Sequence, residues 1–238
     1  MKTIKNTFVI IILLLLPFIV GCDNDTDLSD VYLNAVITGS DPGCGKCIVS
    51  FTDDKMLVER ILGVSDNNSY LVVNLNAGEN PTGVSVRIKA RKATAQELPV
   101  CNTLYPASAL PSIFVLDYQL YTFNYNRAFD IPEKFGMQSR DGQYLLRFDS
   151  VLTDSRCPEG LYCFWQGIAG VRFTITEKNT ASVSFDLYTW NNPGMNWSDS
   201  TMYNNLKIRL LELNPYPSTN ARYSNNSYKA KIIITLNK

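Results

Sequence analysis

Val84-Ser85-Val86-Arg87-Ile88-Lys89-Ala90 places an apolar side chain at every second position, with polar ones between. That period of two turns one face of an extended segment to a core and the other to water, which marks a strand rather than a helix. The same alternation recurs at Val31, Leu33, Ala35 and Ile37, at Val171, Phe173 and Ile175, and at Val183, Phe185 and Leu187. Leu206, Ile208 and Leu210 repeat it, and Tyr228, Ala230, Ile232, Ile234 and Leu236 do so near the end. Turn formers separate these runs: Ser40-Asp41-Pro42-Gly43, Asp66-Asn67-Asn68, Asp141-Gly142, Asn191-Asn192-Pro193-Gly194 and Asn225-Asn226. Only the short stretch Lys55 to Leu62 has amphipathic helical spacing. Many short strands with regular turns predict an all-β protein of sandwich or barrel type.

The 238 residues suit one large or two small domains. A boundary near Tyr118 gives an N-terminal β domain over 31–118 and a C-terminal β-sandwich over 119–238. Leu116 to Phe123 is apolar and aromatic, unlike a free linker, so the halves are expected to pack closely. Lysine plus arginine equals aspartate plus glutamate at 22 each, which argues against a nucleic-acid binder. Histidine is absent, so a Ser-His-Asp triad, a Cys-His dyad and histidine metal ligands are excluded. No serine lies in a GxSxG elbow and no lysine in an SxxK context. The expectation is a protein that is not an enzyme and needs neither cofactor nor metal.

The first residues read as an address. Lys2 and Lys5 precede an apolar run from Phe8 to Leu16, ended by Pro17. The run is short for a membrane span and suits a signal peptide over 1–21. Ile19-Val20-Gly21-Cys22 looks like a bacterial lipobox, with Cys22 as the lipidated residue and first residue of the mature chain. Residues 22–30 form an acidic tether with few apolar side chains. Acidic residues after the cysteine resemble the surface-export signals of Bacteroidetes-type lipoproteins. The expected location is the outer membrane, facing the periplasm or the cell surface, with the membrane engaged through the N-terminal lipid. Asp23, Asp25, Asp27 and Asp30 lack the glycine and glutamate of an EF-hand loop.

Five cysteines remain: Cys44, Cys47, Cys101, Cys157 and Cys163. An exported location permits disulfides. Cys157 and Cys163 bracket the turn-forming Pro158-Glu159-Gly160-Leu161-Tyr162 and form a natural local pair. Closing so small a loop contributes about 2.4 kcal/mol in the chain-entropy treatment. Cys101 pairs with Cys44 or Cys47, leaving one thiol over. A redox reading of Cys44-Gly45-Lys46-Cys47 needs a helix after the first cysteine, whereas Ile48, Val49 and Phe51 read as a strand. A zinc reading lacks a second ligand pair. A phosphate loop over Gly39 to Lys46 fails on glycine spacing, on Cys47 in place of Ser/Thr, and on the missing helix.

Asp154-Ser155-Arg156-Cys157-Pro158-Glu159-Gly160-Leu161-Tyr162-Cys163-Phe164-Trp165-Gln166-Gly167-Ile168-Ala169-Gly170-Val171 is the most specific stretch. It resembles the DSRCPxxxxCxWxGxAxV signature of an uncharacterised family of exported, often lipid-anchored proteins of Bacteroidetes-type bacteria. Every fixed position matches. Leu146 to Val151 before it, and Leu206 to Leu213 leading into Pro215-Tyr216-Pro217 after it, agree as well. The resemblance covers about residues 119–238 and implies export but no particular activity. The N-terminal half resembles OB-like or Ig-like modules of similar lipoproteins.

Read from its residues, the motif is a structural staple. Asp154 and Ser155 open a turn, Pro158 fixes a backbone angle, and the bridge ties off the loop. Trp165 is expected to be buried over the disulfide, as a tryptophan is in Ig-type domains. An Arg156 pair with Asp154 or Asp149 at the surface would contribute little. A rigid loop also loses little entropy on binding, so it can serve as a presented epitope or a proteinase-inhibitor loop. Trp190, Trp197, Tyr188 and Tyr203 flank the polar segment Asn191 to Ser200 and form a candidate ligand-binding set for a glycan or protein ligand. Asp149, Asp154 and Glu159 are the carboxylates available for a glycosidase pair, with surface charge as the plainer reading.

Overall fold

The computed structural model describes residues 30–102, 104–105, 108–219 and 228–237. The signal peptide, Cys22 and the tether before Asp30 lie outside the described residues, as does the turn at Asn225-Asn226. Among the described residues the protein is mostly β, with one short α-helix.

The N-terminal elements are β1 (Leu33–Asp41), β2 (Lys46–Phe51), α1 (Lys55–Leu62), β3 (Ser69–Asn76), β4 (Ser85–Lys92) and β5 (Ser112–Leu120). The five strands close a barrel in the order β1-β2-β3-β5-β4, with β3 parallel to β5 and the other pairs antiparallel. A closed five-stranded barrel fits the OB-like alternative, because an Ig-like module needs two facing sheets. Leu33, Ala35 and Ile37 of β1 and Val86, Ile88 and Ala90 of β4 point into it, following the period-two pattern. Helix α1 starts where Asp54 accepts the Leu57 amide and stops at Gly63, whose φ of 90° suits glycine. Val58 and Leu62 are its buried face.

The remaining strands are β6 (Thr122–Phe123), β7 (Phe129–Pro132), β8 (Gly136–Ser139), β9 (Tyr144–Asp154), β10 (Ala169–Glu177), β11 (Val183–Tyr188), β12 (Ser200–Tyr203), β13 (Leu206–Asn214) and β14 (Lys229–Leu236). They build a five-stranded sheet, β11-β10-β9-β8-β6, and a four-stranded sheet, β12-β13-β14-β7. Leu146, Phe148, Val171, Phe173 and Ile175 of the first share one core with Ile208, Leu210, Ile232 and Ile234 of the second. This is a disulfide-bearing sandwich whose described strands pair antiparallel except that β6 runs parallel to β8. Val183 is exposed and Phe185 only half-buried, against the alternation expected of them. The reason is position: β11 is an edge strand, covered less fully than the strands inside the sheet.

Two hydrophobic clusters result, one drawn from the barrel and one from the sandwich. They meet at a tight junction. Ser85 lies on the polar parity of β4 yet is fully buried, because its hydroxyl accepts the Gly136 amide at 3.0 Å. A side chain at Gly136 would run into the Gly83 carbonyl. Tyr121 donates its hydroxyl to Asn34 of β1, and Leu145 of β9 packs against the barrel core. A Gly136→Ala substitution therefore forces backbone apart at the junction. The expected cost is about 1–3 kcal/mol of unfolding free energy, measured by urea titration against the wild type.

Candidate functional site

The signature segment occupies the turn from β9 to β10. Its ends are held by backbone bonds: the Ser155 amide donates to the Ile168 carbonyl at 2.8 Å, and the Cys157 amide to Gln166 at 2.9 Å. The Ser155 hydroxyl accepts the Ile168 amide in return. Gly167 has a φ of 72°, and a Cβ there would collide with the Ser155 carbonyl, so the signature glycine is sterically required. Gly170 faces the Tyr188 ring at a distance that leaves no room for a methyl group. The Glu159 amide donates to the Pro217 carbonyl at 2.9 Å, which ties the loop to the chain after β13.

Arg156 is buried, contrary to the exposed pair expected of it. Its Nε and Nη2 donate to the two carboxylate oxygens of Asp154 at 2.8 and 2.7 Å. Nη1 donates to the Leu213 carbonyl at 2.6 Å and Nη2 also to Pro215 at 3.0 Å. The guanidinium lies 4.7 Å from the centre of the Tyr216 ring. Asp154 accepts a further bond from the Tyr228 hydroxyl. Only a guanidinium offers this fork of donors, so one side chain joins the loop of one sheet to the end of the other.

Cys157 and Cys163 are bridged, as are Cys44 and Cys101. The second bridge resolves the alternative between Cys44 and Cys47. Cys47 is the free thiol among the described residues; it sits in β2, fully buried, and burial pushes its thiol up from the ordinary value. The CxxC spacing thus reflects a bridged turn followed by a strand.

Trp165 is not buried over the disulfide. It is 54% exposed, and Tyr162 and Phe164 are fully exposed beside a half-exposed Leu161. The place at the end of the sandwich is filled instead by Arg156 stacked on Tyr216 and by the buried Ile168. The stapled loop therefore carries a run of large apolar side chains outward.

The structure brings three of the four candidate aromatics together. Tyr188 stacks on Trp197 with ring centres 5.7 Å apart, and Trp190 meets Trp197 edge-on at 5.8 Å. Tyr203 lies elsewhere, packed against the sandwich core and edge-on to Tyr144. Trp190 donates its indole N–H to the Gly167 carbonyl at 3.0 Å, which joins this cluster to the signature loop. Between them is a groove of about 310 Å³ with Trp190 and Tyr216 as aromatic walls and Arg156, Gln166, Glu212 and Asn214 as polar ones. Gln166, Tyr216, Glu212 and Asn214 were not singled out as site residues by the sequence, although Tyr216 stands in the flank that agrees with the signature.

A larger hollow of about 350 Å³ lies where the barrel meets the sandwich. Its aromatic side chain, Tyr144, already bonds Glu177, which also accepts from Asn204. Asp149 and Asp154, two of the carboxylates weighed for glycoside hydrolysis, do not form a pair. Asp154 is held by Arg156, and Asp149 bonds Arg147 and Thr174. Five residues of strand separate the two, about 16 Å, beyond the roughly 5–9.5 Å such catalysis uses.

Compared with protein-family models, curated proteins and solved structures, the chain matches none.

Removing the Arg156 fork leaves Asp154 buried without its cation. Arg156→Met is expected to lower unfolding free energy by about 3–5 kcal/mol, and Arg156→Met with Asp154→Leu by clearly less. Urea titration of the two variants checks the ordering; equal losses would mean the pair is not coupled.

Proposed function

We propose that this protein is a lipid-anchored module of the bacterial outer membrane that binds a ligand and performs no catalysis. The anchor is Cys22, and the recognition surface is the tip formed by the stapled loop and the groove beside it. The observation that carries this reading is the exposure of Leu161, Tyr162, Phe164 and Trp165 on a loop whose backbone is fixed. Exposed apolar side chains gathered at one place are a mark of interaction sites. A fixed loop also gives up little conformational entropy when it binds.

The tip is remote from the barrel that follows the anchor. Strand β9 begins at Tyr144, beside Leu145 on the barrel core, and ends at Asp154, about 30 Å further on. With Cys22 as the anchor, this length of strand would support a binding surface held away from the membrane. A second reading is a proteinase inhibitor, favoured by Tyr162, which stands fully exposed inside the small disulfide ring. In that reading Tyr162 would enter an apolar specificity pocket.

The test uses the full chain expressed in a Gram-negative host. Cys22→Ala is expected to abolish fatty-acid labelling and to move the protein from the membrane pellet to the soluble fraction; unchanged labelling contradicts the anchor. Tyr162→Ser with Phe164→Ser is expected to melt like the wild type. It should lose retention on a panel of envelope polysaccharides, matrix proteins and secreted proteases. Wild-type retention on none of them contradicts the module, and protease inhibition abolished by the double variant selects the inhibitor reading.

A further inference from the structure

The geometry points to the groove between Trp190 and Tyr216 as a saccharide-binding site that accepts one or two sugar rings. This deepens the binding-module reading and rests on it. The argument starts from shape and chemistry. A sugar ring offers an apolar face of C–H groups and a rim of hydroxyls, so its sites join an aromatic surface to scattered donors and acceptors. The groove holds this combination in about 310 Å³, near the lower limit for small-molecule sites.

Trp190 is fixed for that role. Its indole N–H is committed to the Gly167 carbonyl, and its edge rests on Trp197, yet it remains 36% exposed. A ring held this way has little freedom to lose when another ring stacks on it. Tyr216 is held from behind by the Arg156 guanidinium and is 38% exposed.

Arg156 supplies the second, independent observation. A guanidinium has five N–H donors. Four are directed at Asp154, Leu213 and Pro215, and among the described residues none of these bonds uses the second hydrogen of Nη1. The side chain is buried and also lines the groove. One charged donor in a largely water-excluded place favours an acceptor oxygen, and bonds to charged groups are the stronger kind. Gln166 adds an exposed amide, with its backbone carbonyl alone engaged in holding Cys157. On the opposite wall Glu212 Oε2 is already engaged by Lys231 and by the Asn214 amide, which leaves Glu212 Oε1 and Asn214 Oδ1 as acceptors.

Of the aromatics that the sequence offers for sugar binding, only Trp190 lines this groove. Trp197 and Tyr188 support it from outside, and Tyr203 takes no part.

The experiment is retention of the detergent-solubilised full chain on an array of plant, mucin and bacterial-envelope glycans. It is run beside the matrix proteins and secreted proteases of the panel used for the loop. Wild type is expected to be retained by at least one glycan class, with quenching of tryptophan fluorescence on titration. Gln166→Ala touches no fold-bearing side-chain bond. It is expected to keep the wild-type melting temperature and to weaken binding roughly tenfold, the scale of a lost hydrogen bond. Trp190→Ala is expected to weaken binding further, and Trp190→Phe to restore part of it. Absence of wild-type retention on every glycan overturns the proposal, as does retention unaffected by both Gln166→Ala and Trp190→Ala. Retention on a protein, lost in the Tyr162 and Phe164 double variant with no glycan bound, overturns the saccharide site while leaving the binding module standing.

Discussion

A single guanidinium decides how the far end of the sandwich closes. Arg156 lies inside the protein with its charge matched by Asp154 and two further donors spent on the carbonyls of Leu213 and Pro215. The Leu213 carbonyl lies near the end of β13 and the Pro215 carbonyl just beyond it, and both accept from the arginine. Leaving such carbonyls unpaired in a buried place would be costly, and the arginine supplies the missing donors. The same contact brings the signature loop of one sheet onto the end of the other. A buried ion pair of this kind adds little net stability over a well-packed apolar pair. What it adds is a fixed position for the loop and for the Tyr216 ring beneath it.

From that position the rest of the tip follows. Gly167 must be a glycine because the chain doubles back against Ser155. Its carbonyl then receives the Trp190 indole, and Trp190 in turn seats Trp197 and Tyr188. The disulfide closes the outer part of the loop, and the apolar side chains there are exposed while Arg156 occupies the sandwich end. The core and the tip thus have opposite rules. Inside, Phe148, Phe173 and Ile232 are hidden completely; at the tip, residues of the same chemistry face water.

Much of this architecture is legible from residue spacing. The period of two identified the inner faces of β1, β4, β10, β13 and β14, and the single helical stretch Lys55 to Leu62 forms with those limits. That succeeds because a strand half buried in a barrel or sandwich has one wet and one dry face. It fails where that condition fails. Ser85 is dry because the sandwich covers the barrel there, and Val183 is wet because β11 is the edge strand of its sheet. Trp165 reads as a core residue from its place beside the disulfide, but burial depends on what fills the space, and no spacing rule shows that Arg156 does. The groove draws on the chain between residues 156 and 216, so its members share no local pattern.

The central claim is that Arg156 holds the signature loop in one place. Hydrogen–deuterium exchange of the Ser155, Cys157 and Glu159 amides in wild type and Arg156→Lys tests it directly, because lysine keeps the charge and loses the planar fork. Strong protection of these amides in the wild type is expected. In the variant it should fall at all three, while amides of β10 around Phe173 stay protected. Equal exchange of the loop amides in the two proteins would contradict the account.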